Sequence, residues 1–322
     1  MNRRLHLAVV VAISVSAAQM PVHAQIARAD SLLNAGALQR AESTYYSAAH
    51  ARPHDPVARL ALGRYLVSRG APRVGMTLLE EALQFGGNPS AIDAELAPVY
   101  LTLGEYHKLS ALKASPLSNA ERERARWLVA RSTKLLAPDS TATVTYHKAT
   151  DGASLGRVSL RVNGKTIDAT ISAHEQGIVI SDTVSVTKRL HVFKSGTGAG
   201  ASPSSGVPAV ADSIGFGRLS LADYPVTIRS MGSKQQATIG LDVFARFAPT
   251  FDPAADRITL HVAGKVARAQ NADELPTLFT HDDVRVLRAG SWVSIGLPEI
   301  QRMLMSRRWT FDARRGQLTI ER

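Results

Sequence analysis

Three glycine residues, Gly36, Gly70 and Gly104, follow one another at intervals of 34 residues. Glycine provides the backbone freedom that a tight turn between two helices requires. A period of this length predicts a row of helical hairpins, which must stack because each hairpin alone leaves an apolar face uncovered. We therefore expect residues 25–137 to form an N-terminal helical-repeat domain.

The residues that follow the first glycine resemble a known repeat. Ala41, Tyr45, Ala48 and Pro53 stand where a tetratricopeptide unit places a small residue, an aromatic residue, a second small residue and its terminal proline. The later units keep fewer of these features, and the third resembles a degenerate end unit. The resemblance implies docking of peptides or partner proteins. A role in packing against, or spacing, the neighbouring domain is an equally good interpretation.

A capping helix is expected after the last repeat. Ser118 and Glu121 have the spacing of a capping box, which indicates the start of a helix. The segment of residues 120–136 is predicted to be helical, with Trp127, Leu128 and either Leu135 or Leu136 covering the last hairpin.

The N-terminal residues and the composition indicate the compartment of this protein and exclude some classes of function. Basic residues precede the apolar run of residues 7–18, and Val22-His23-Ala24 offers small residues to a signal peptidase, so residues 1–24 are interpreted as a signal peptide. The protein is then expected in the periplasm or secreted, with an uncleaved anchor as the alternative. The net charge of +11 is diffuse and not interleaved with aromatic residues, which argues against nucleic-acid binding. The absence of cysteine excludes disulfides and thiolate chemistry.

After residue 138 the hydrophobic period changes from helical to two. Val158, Leu160 and Val162 alternate with polar residues, and Asn163-Gly164 is the residue pair that most strongly indicates a two-residue hairpin. Residues 138–265 are therefore expected to form a mostly-β domain.

Several landmarks of this domain resemble the retropepsin-like aspartic peptidases, including bacterial members preceded by tetratricopeptide repeats. They are Asn163-Gly164, Ile178–Ser181 and Ile239-Gly240-Leu241-Asp242, in this order and spacing. The resemblance implies an acid-protease fold in which a hydrophobic pair and a glycine hold the catalytic loop from beneath. The glycine-rich stretch of residues 194–207 is interpreted as the flap of such a domain or as an irregular excursion.

The sequence departs from the family at the catalytic loop. Ser172 stands at the position of the catalytic aspartate, and Ala173 and His174 replace the threonine and glycine that follow it. Aspartic peptidases need two carboxylates that share one proton, and a serine hydroxyl cannot serve as the base. We therefore expect no catalytic residue here, and name Ser172, Ala173, His174, Glu175 and Gly240 as binding residues.

Three alternatives are left open for chemistry at this loop. Glu175 could supply a carboxylate in place of the missing aspartate, and so could Asp168, which shares a strand face with Ser172. Ser172 and His174 could form a nucleophile and base, although the sequence shows no acid to orient the histidine.

The C-terminal segment repeats part of the β domain. Ile239-Gly240-Leu241 followed by Phe251-Asp252 is matched by Ile295-Gly296-Leu297 followed by Phe311-Asp312. Residues 266–322 are therefore expected to form an abbreviated second lobe, in which a helix near residues 299–307 accounts for the longer spacing. Asp252 and Asp312 are interpreted as turn residues.

Taken together, these features predict an α+β multidomain protein: tetratricopeptide-like helical repeats, then an acid-protease-like β domain with an abbreviated second lobe. We expect an exported, non-catalytic protein that binds peptides or partner proteins, with no cofactor and no metal. The histidines show no metal-ligand spacing. An active aspartic endopeptidase is the alternative function, a purely structural assembly subunit is a third, and homodimerisation is left open.

Overall fold

The computed structural model describes residues 20–115, 117–131, 133–136, 141–149, 154–184, 189–194, 206–232, 235–261, 271–280 and 283–322. Most of the predicted signal peptide and most of the glycine-rich stretch of residues 194–207 lie outside these ranges. The predicted cleavage point after Ala24 falls in the first turn of a helix that begins at Val22. Among the described residues, no helix has both the length and the apolar character needed to cross a membrane.

The N-terminal region consists of helices joined in hairpins. The helices are α1 (Val22–Asn34), α2 (Leu38–Ala51), α3 (Pro56–Ser68), α4 (Pro72–Gln84), α5 (Pro89–Leu103), α6 (Tyr106–Ala111) and α7 (Asn119–Val129). Gly36, Gly70 and Gly104 lie in the three hairpin turns with φ of +73°, +84° and +74°, a conformation that favours glycine. The predicted helical hairpins are confirmed, whereas their assignment to the tetratricopeptide class stays a prediction.

Small residues allow the two helices of the second hairpin to approach closely. A side chain added at Gly75 of α4 would place its Cβ 2.7 Å from the carbonyl oxygen of Gly63 on α3. In the first hairpin, Ala41 and Tyr45 of α2 are buried in the core that α1 and α3 complete. The spacing of small and aromatic residues in the sequence therefore reflects the helix contacts.

The capping helix is present but shorter than predicted. The capping box is confirmed, because Ser118 Oγ accepts from the Glu121 N–H at 3.2 Å and the Glu121 carboxylate accepts from the Ser118 N–H. The predicted end of the helix is wrong, since α7 ends at Val129 and Leu135 and Leu136 belong to a strand. These two leucines are exposed and pair with another strand, so Leu128 alone of the predicted leucines is buried against the last hairpin.

The remainder of the described chain is mostly β. The strands are β1 (Lys134–Leu136), β2 (Thr141–His147), β3 (Arg157–Val162), β4 (Lys165–Ser172), β5 (Ile178–Ser181), β6 (His191–Val192), β7 (Val207–Phe216), β8 (Leu219–Arg229), β9 (Ala237–Gly240), β10 (Thr250–Asp252), β11 (Arg257–His261), β12 (Ala272–Phe279), β13 (Val284–Arg288), β14 (Ser291–Ser294), β15 (Trp309–Asp312) and β16 (Gln317–Glu321). Their hydrogen-bonded order is β14-β13-β12-β16-β15-β10-β11-β2-β3-β4-β9-β5-β8-β7-β6, with β1 on β8. Two short helices, α8 (Leu241–Phe244) and α9 (Pro298–Met305), interrupt the strands.

The β3–β4 hairpin forms as its sequence predicts. Asn163 and Gly164 both have positive φ, 47° and 82°, as a type I′ turn requires. The alternating apolar residues of both strands are buried on one face, which fixes the register and places Ser172 at the end of β4.

The predicted echo between the two lobes corresponds to two hairpins, β10–β11 and β15–β16. They pair through β10 and β15, with Thr250 opposite Thr310 and Phe251 opposite Trp309, whose rings stack at 3.8 Å. Asp252 and Asp312 each accept a backbone N–H three residues further along the chain, as turn residues do. The helix predicted near residues 299–307 is α9.

The helical region packs on the β region through the C-terminal ends of α1, α3 and α5. Four hydrogen bonds join these helix ends to the β region: Trp292 Nε1 to Leu33 O (2.7 Å), Arg69 Nη1 to Thr277 O and to Gly316 O (3.3 Å), and Arg246 Nη2 to Thr102 O (2.7 Å). Because these helix ends recur with the period of the repeat, successive hairpin turns face the β region.

Candidate functional site

Ser172, which stands at the predicted position of a catalytic aspartate, closes the turn that follows β4. Its Oγ accepts hydrogen bonds from the backbone N–H groups of His174 (3.1 Å) and Glu175 (3.2 Å). Serine commonly stabilises a turn in this way. The hydroxyl oxygen therefore holds the shape of its own loop. Ala173 is buried in the core beneath the loop and offers little surface to a ligand.

Gly240 holds this loop in place from the neighbouring strand. β9 runs parallel to β4 and places Gly240 beside Ser172. A Cβ at Gly240 would lie 2.3 Å from the carbonyl oxygen of Glu175 and 2.2 Å from Asp242 Oδ1. Its N–H donates to Gly177 O at 2.8 Å. Only glycine fits at this contact, because the loop backbone occupies the space of a side chain.

The two carboxylates considered as replacements for the missing aspartate have different surroundings. Glu175 forms an ion pair with Arg229 of β8. Asp168 is exposed on β4, where its backbone N–H donates to the Gln236 side chain. In the described part of the chain neither is paired with a second carboxyl group, so neither forms the shared-proton dyad of an aspartic peptidase.

His174 connects the loop to the C-terminal β segment. Its Nδ1 lies 3.6 Å from Asp283 Oδ1, and that oxygen accepts from Ser294 Oγ at 2.7 Å. A Cβ at Gly296 would lie 2.1 Å from His174 Nε2, so the imidazole packs directly on this glycine. Asp283 is thus an acid beside His174 that the sequence did not reveal. However, the imidazole ring packs on Gly296, and Ser172 Oγ accepts from the backbone N–H of His174 and not from its ring. Ser172 and His174 therefore do not form the hydrogen-bonded pair of a serine hydrolase.

Asp242 is a site residue whose role was missed in the sequence, where it appeared only as part of a landmark. It lies in the first turn of α8, and both of its carboxylate oxygens are 3.0 Å from the Gly177 nitrogen. Desolvation by the surrounding protein raises the pKa of Asp242 to about 6, although backbone hydrogen bonds from Gly177 and Val243 oppose the shift. A carboxyl group that titrates near neutral pH therefore holds the end of the Ser172 loop.

A cleft of about 90 Å³ opens beside Asp242, between the helical region and the β region. Gln176 and Gly177 of the loop line it on one side, and Arg124 of α7 lines it on the other. Arg246, which follows α8, also lines the cleft. Sequence patterns did not indicate these arginines, because the contact joins segments that are far apart in the chain.

No protein-family model matches this chain, and no curated protein matches it. Among solved structures, the chain is similar to a retropepsin-like aspartic protease from Rickettsia conorii. The two share 14% sequence identity with a TM-score of 0.25, over 40% of this chain and 92% of that chain. The function is therefore argued below from the contacts of the site.

Proposed function

We propose that this protein is a non-catalytic, aspartic-protease-like protein that binds peptides or partner proteins at the Ser172 loop. The observation that carries the proposal is the bonding of Ser172, whose oxygen accepts two backbone N–H groups of its own loop. A hydroxyl in this position keeps the loop folded but has no proton-accepting capacity at physiological pH.

The neighbouring carboxyl groups support the same conclusion. Glu175 is neutralised by Arg229, and the Asp242 carboxylate accepts from Gly177. Each has a structural partner, so a bound peptide would meet a loop without a free base. His174, whose side chain is 60% exposed, is the loop residue best placed to bond to such a peptide.

Peptide binding is tested with a mixture of fluorescently labelled extended peptides and the full chain, measured by anisotropy. We expect the His174→Ala variant to bind at least about fivefold more weakly than wild type, because it loses an exposed donor at the loop, equivalent to about 1 kcal/mol. His147→Ala, which removes an exposed histidine side chain at the end of β2, is the matched control. Absence of binding, or equal binding by both variants, would refute the proposal.

An aspartic endopeptidase is the second candidate, and Asp242 is the observation that favours it. Its pKa of about 6 would suit a general acid, and it lines a cleft. This candidate predicts acid-pH peptide cleavage that disappears in Asp242→Asn. The non-catalytic proposal predicts that neither wild type nor the variant cleaves.

We also propose that the chain is exported, that its helical region is a tetratricopeptide-like scaffold, and that this scaffold positions the β region. The contacts of successive hairpin turns with the β region support the scaffold role. Export predicts that the protein recovered from a periplasmic or culture fraction begins at Gln25, which intact-mass spectrometry measures. Recovery of the full-length chain in the cytoplasm alone would contradict it.

A further inference from the structure

Arg124 is a buried cation that the proposed peptide site does not use. It lies on α7, is only 7% exposed, and lines the cleft between the helical and β regions. Its Nη1 donates to Val226 O at 3.0 Å, where the backbone of β8 faces the helices. A guanidinium carries five N–H donors, so this single bond leaves most of its hydrogen-bonding capacity unused.

The charge of Arg124 has no carboxylate partner in the part of the chain that the structure describes. Glu121 is the acid with the largest effect on the pKa of Arg124. Its carboxylate already accepts hydrogen bonds from the N–H and Oγ of Ser118 in the capping box. Burial lowers the pKa of Arg124 from its ordinary value, which shows that the desolvation of this cation is not fully offset. Buried charges in proteins are normally paired with an opposite charge or with a ligand.

A second guanidinium lines the same cleft. Arg246 donates one hydrogen bond to Thr102 O and lies over the ring of Tyr224, 5.7 Å from its centre. The Asp242 carboxyl group is the acid in the lining. The lining therefore keeps a net positive charge even when Asp242 is ionised.

We propose that this cleft is a binding site for a small oxyanion, a carboxylate or phosphate group held by Arg124 and Arg246. Planar guanidinium groups match both anions through paired N–H donors, and the cleft volume of about 90 Å³ suits a group of this size. The proposal does not depend on peptide binding at Ser172, because it rests on the side chains of Arg124 and Arg246.

The test is isothermal titration calorimetry of the full chain in Tris chloride, with sodium phosphate and sodium acetate as separate titrants. We expect saturable one-site binding of at least one of them. Arg124→Met and Arg246→Gln should each weaken it by at least about tenfold, because each removes one of the two cations. Arg126→Met is the matched control, since Arg126 lies on the same helix but is exposed.

Each outcome decides the proposal. Binding of phosphate alone identifies a phosphate group as the ligand, and binding of acetate identifies a carboxylate. Circular dichroism establishes whether each variant is folded, and if Arg124→Met unfolds, Arg246→Gln decides. No binding by wild type, wild-type affinity in a folded Arg124 or Arg246 variant, or an equal loss in Arg126→Met overturns the proposal.

Discussion

The docking of the helical region on the β region predicts very different effects for two glycine substitutions. Gly70 and Gly86 each lie two residues beyond the end of a helix, with φ of +84° and +85°. Alanine at either position costs about 1 kcal/mol, because an L residue is strained in this conformation. A Cβ at Gly86 would meet nothing within 4 Å, whereas one at Gly70 would lie 1.6 Å from Ala313 O.

Gly70→Ala must therefore also move the turn between β15 and β16 away from α3. The adjacent Arg69 donates to Thr277 O and, at 3.3 Å, to Gly316 O, and both bonds depend on that approach. Bonds from a charged donor are worth roughly 1.5 to 3 kcal/mol each, and partial exposure of Arg69 reduces their sum to about 2 kcal/mol. The total loss is then about 3 kcal/mol for Gly70→Ala and about 1 kcal/mol for Gly86→Ala.

Urea unfolding followed by tryptophan fluorescence measures this difference, and hydrogen exchange shows where it arises. We expect Gly70→Ala alone to increase exchange in residues 313–317. Equal destabilisation of the two variants, with no change in exchange at that turn, would refute the idea that the repeats are anchored there.

Three further predictions concern the Ser172 loop. Ser172→Ala removes the acceptor for two backbone N–H groups and should lower the free energy of unfolding by about 1 to 2 kcal/mol in urea titrations, whereas Ser172→Asp retains an acceptor and should lose less. The folded state raises the pKa of Asp242 from 3.8 to about 6, so the native protein binds this proton more tightly than the unfolded chain does. Wild-type stability should consequently fall by up to about 3 kcal/mol relative to Asp242→Asn as pH rises from about 4 through about 6, and a difference that does not change with pH would contradict this. Gly240→Ala should lower the thermal midpoint strongly, since its Cβ would lie 2.3 Å from Glu175 O, whereas the exposed Gly232→Ala, whose Cβ meets nothing within 4 Å, should have little effect.

Local sequence patterns predicted the parts of the fold that depend on local physics. The turn glycines have positive φ because a short connection between helices requires it. Asn163 and Gly164 have positive φ because a two-residue connection between strands requires a type I′ turn. The position of Ser172 followed from counting along the regular strand from Gly164. The Ile239-Gly240-Leu241 landmark indicated a close contact beneath the loop, which the space around Gly240 explains.

The predictions that were wrong or missing concern contacts between segments that are distant in sequence. Leu135 and Leu136 were predicted to extend a helix, because the strand that pairs with them, β8, is far away in sequence. The contact of His174 with Asp283 joins segments about 110 residues apart, and Arg124 reaches the cleft because α7 packs on β7 and bonds to β8. A hydrophobic period contains no information about such contacts.

The proposed absence of catalysis at the Ser172 loop is tested most directly by looking for new peptide termini. The full chain is incubated with a mixture of synthetic peptides at about pH 4 to 6, where a carboxyl dyad would be active, and the products are separated and identified by mass spectrometry. Our account predicts that every peptide is recovered intact. Cleavage that a statine-type inhibitor suppresses, and that disappears in Glu175→Gln or Asp242→Asn, would contradict it.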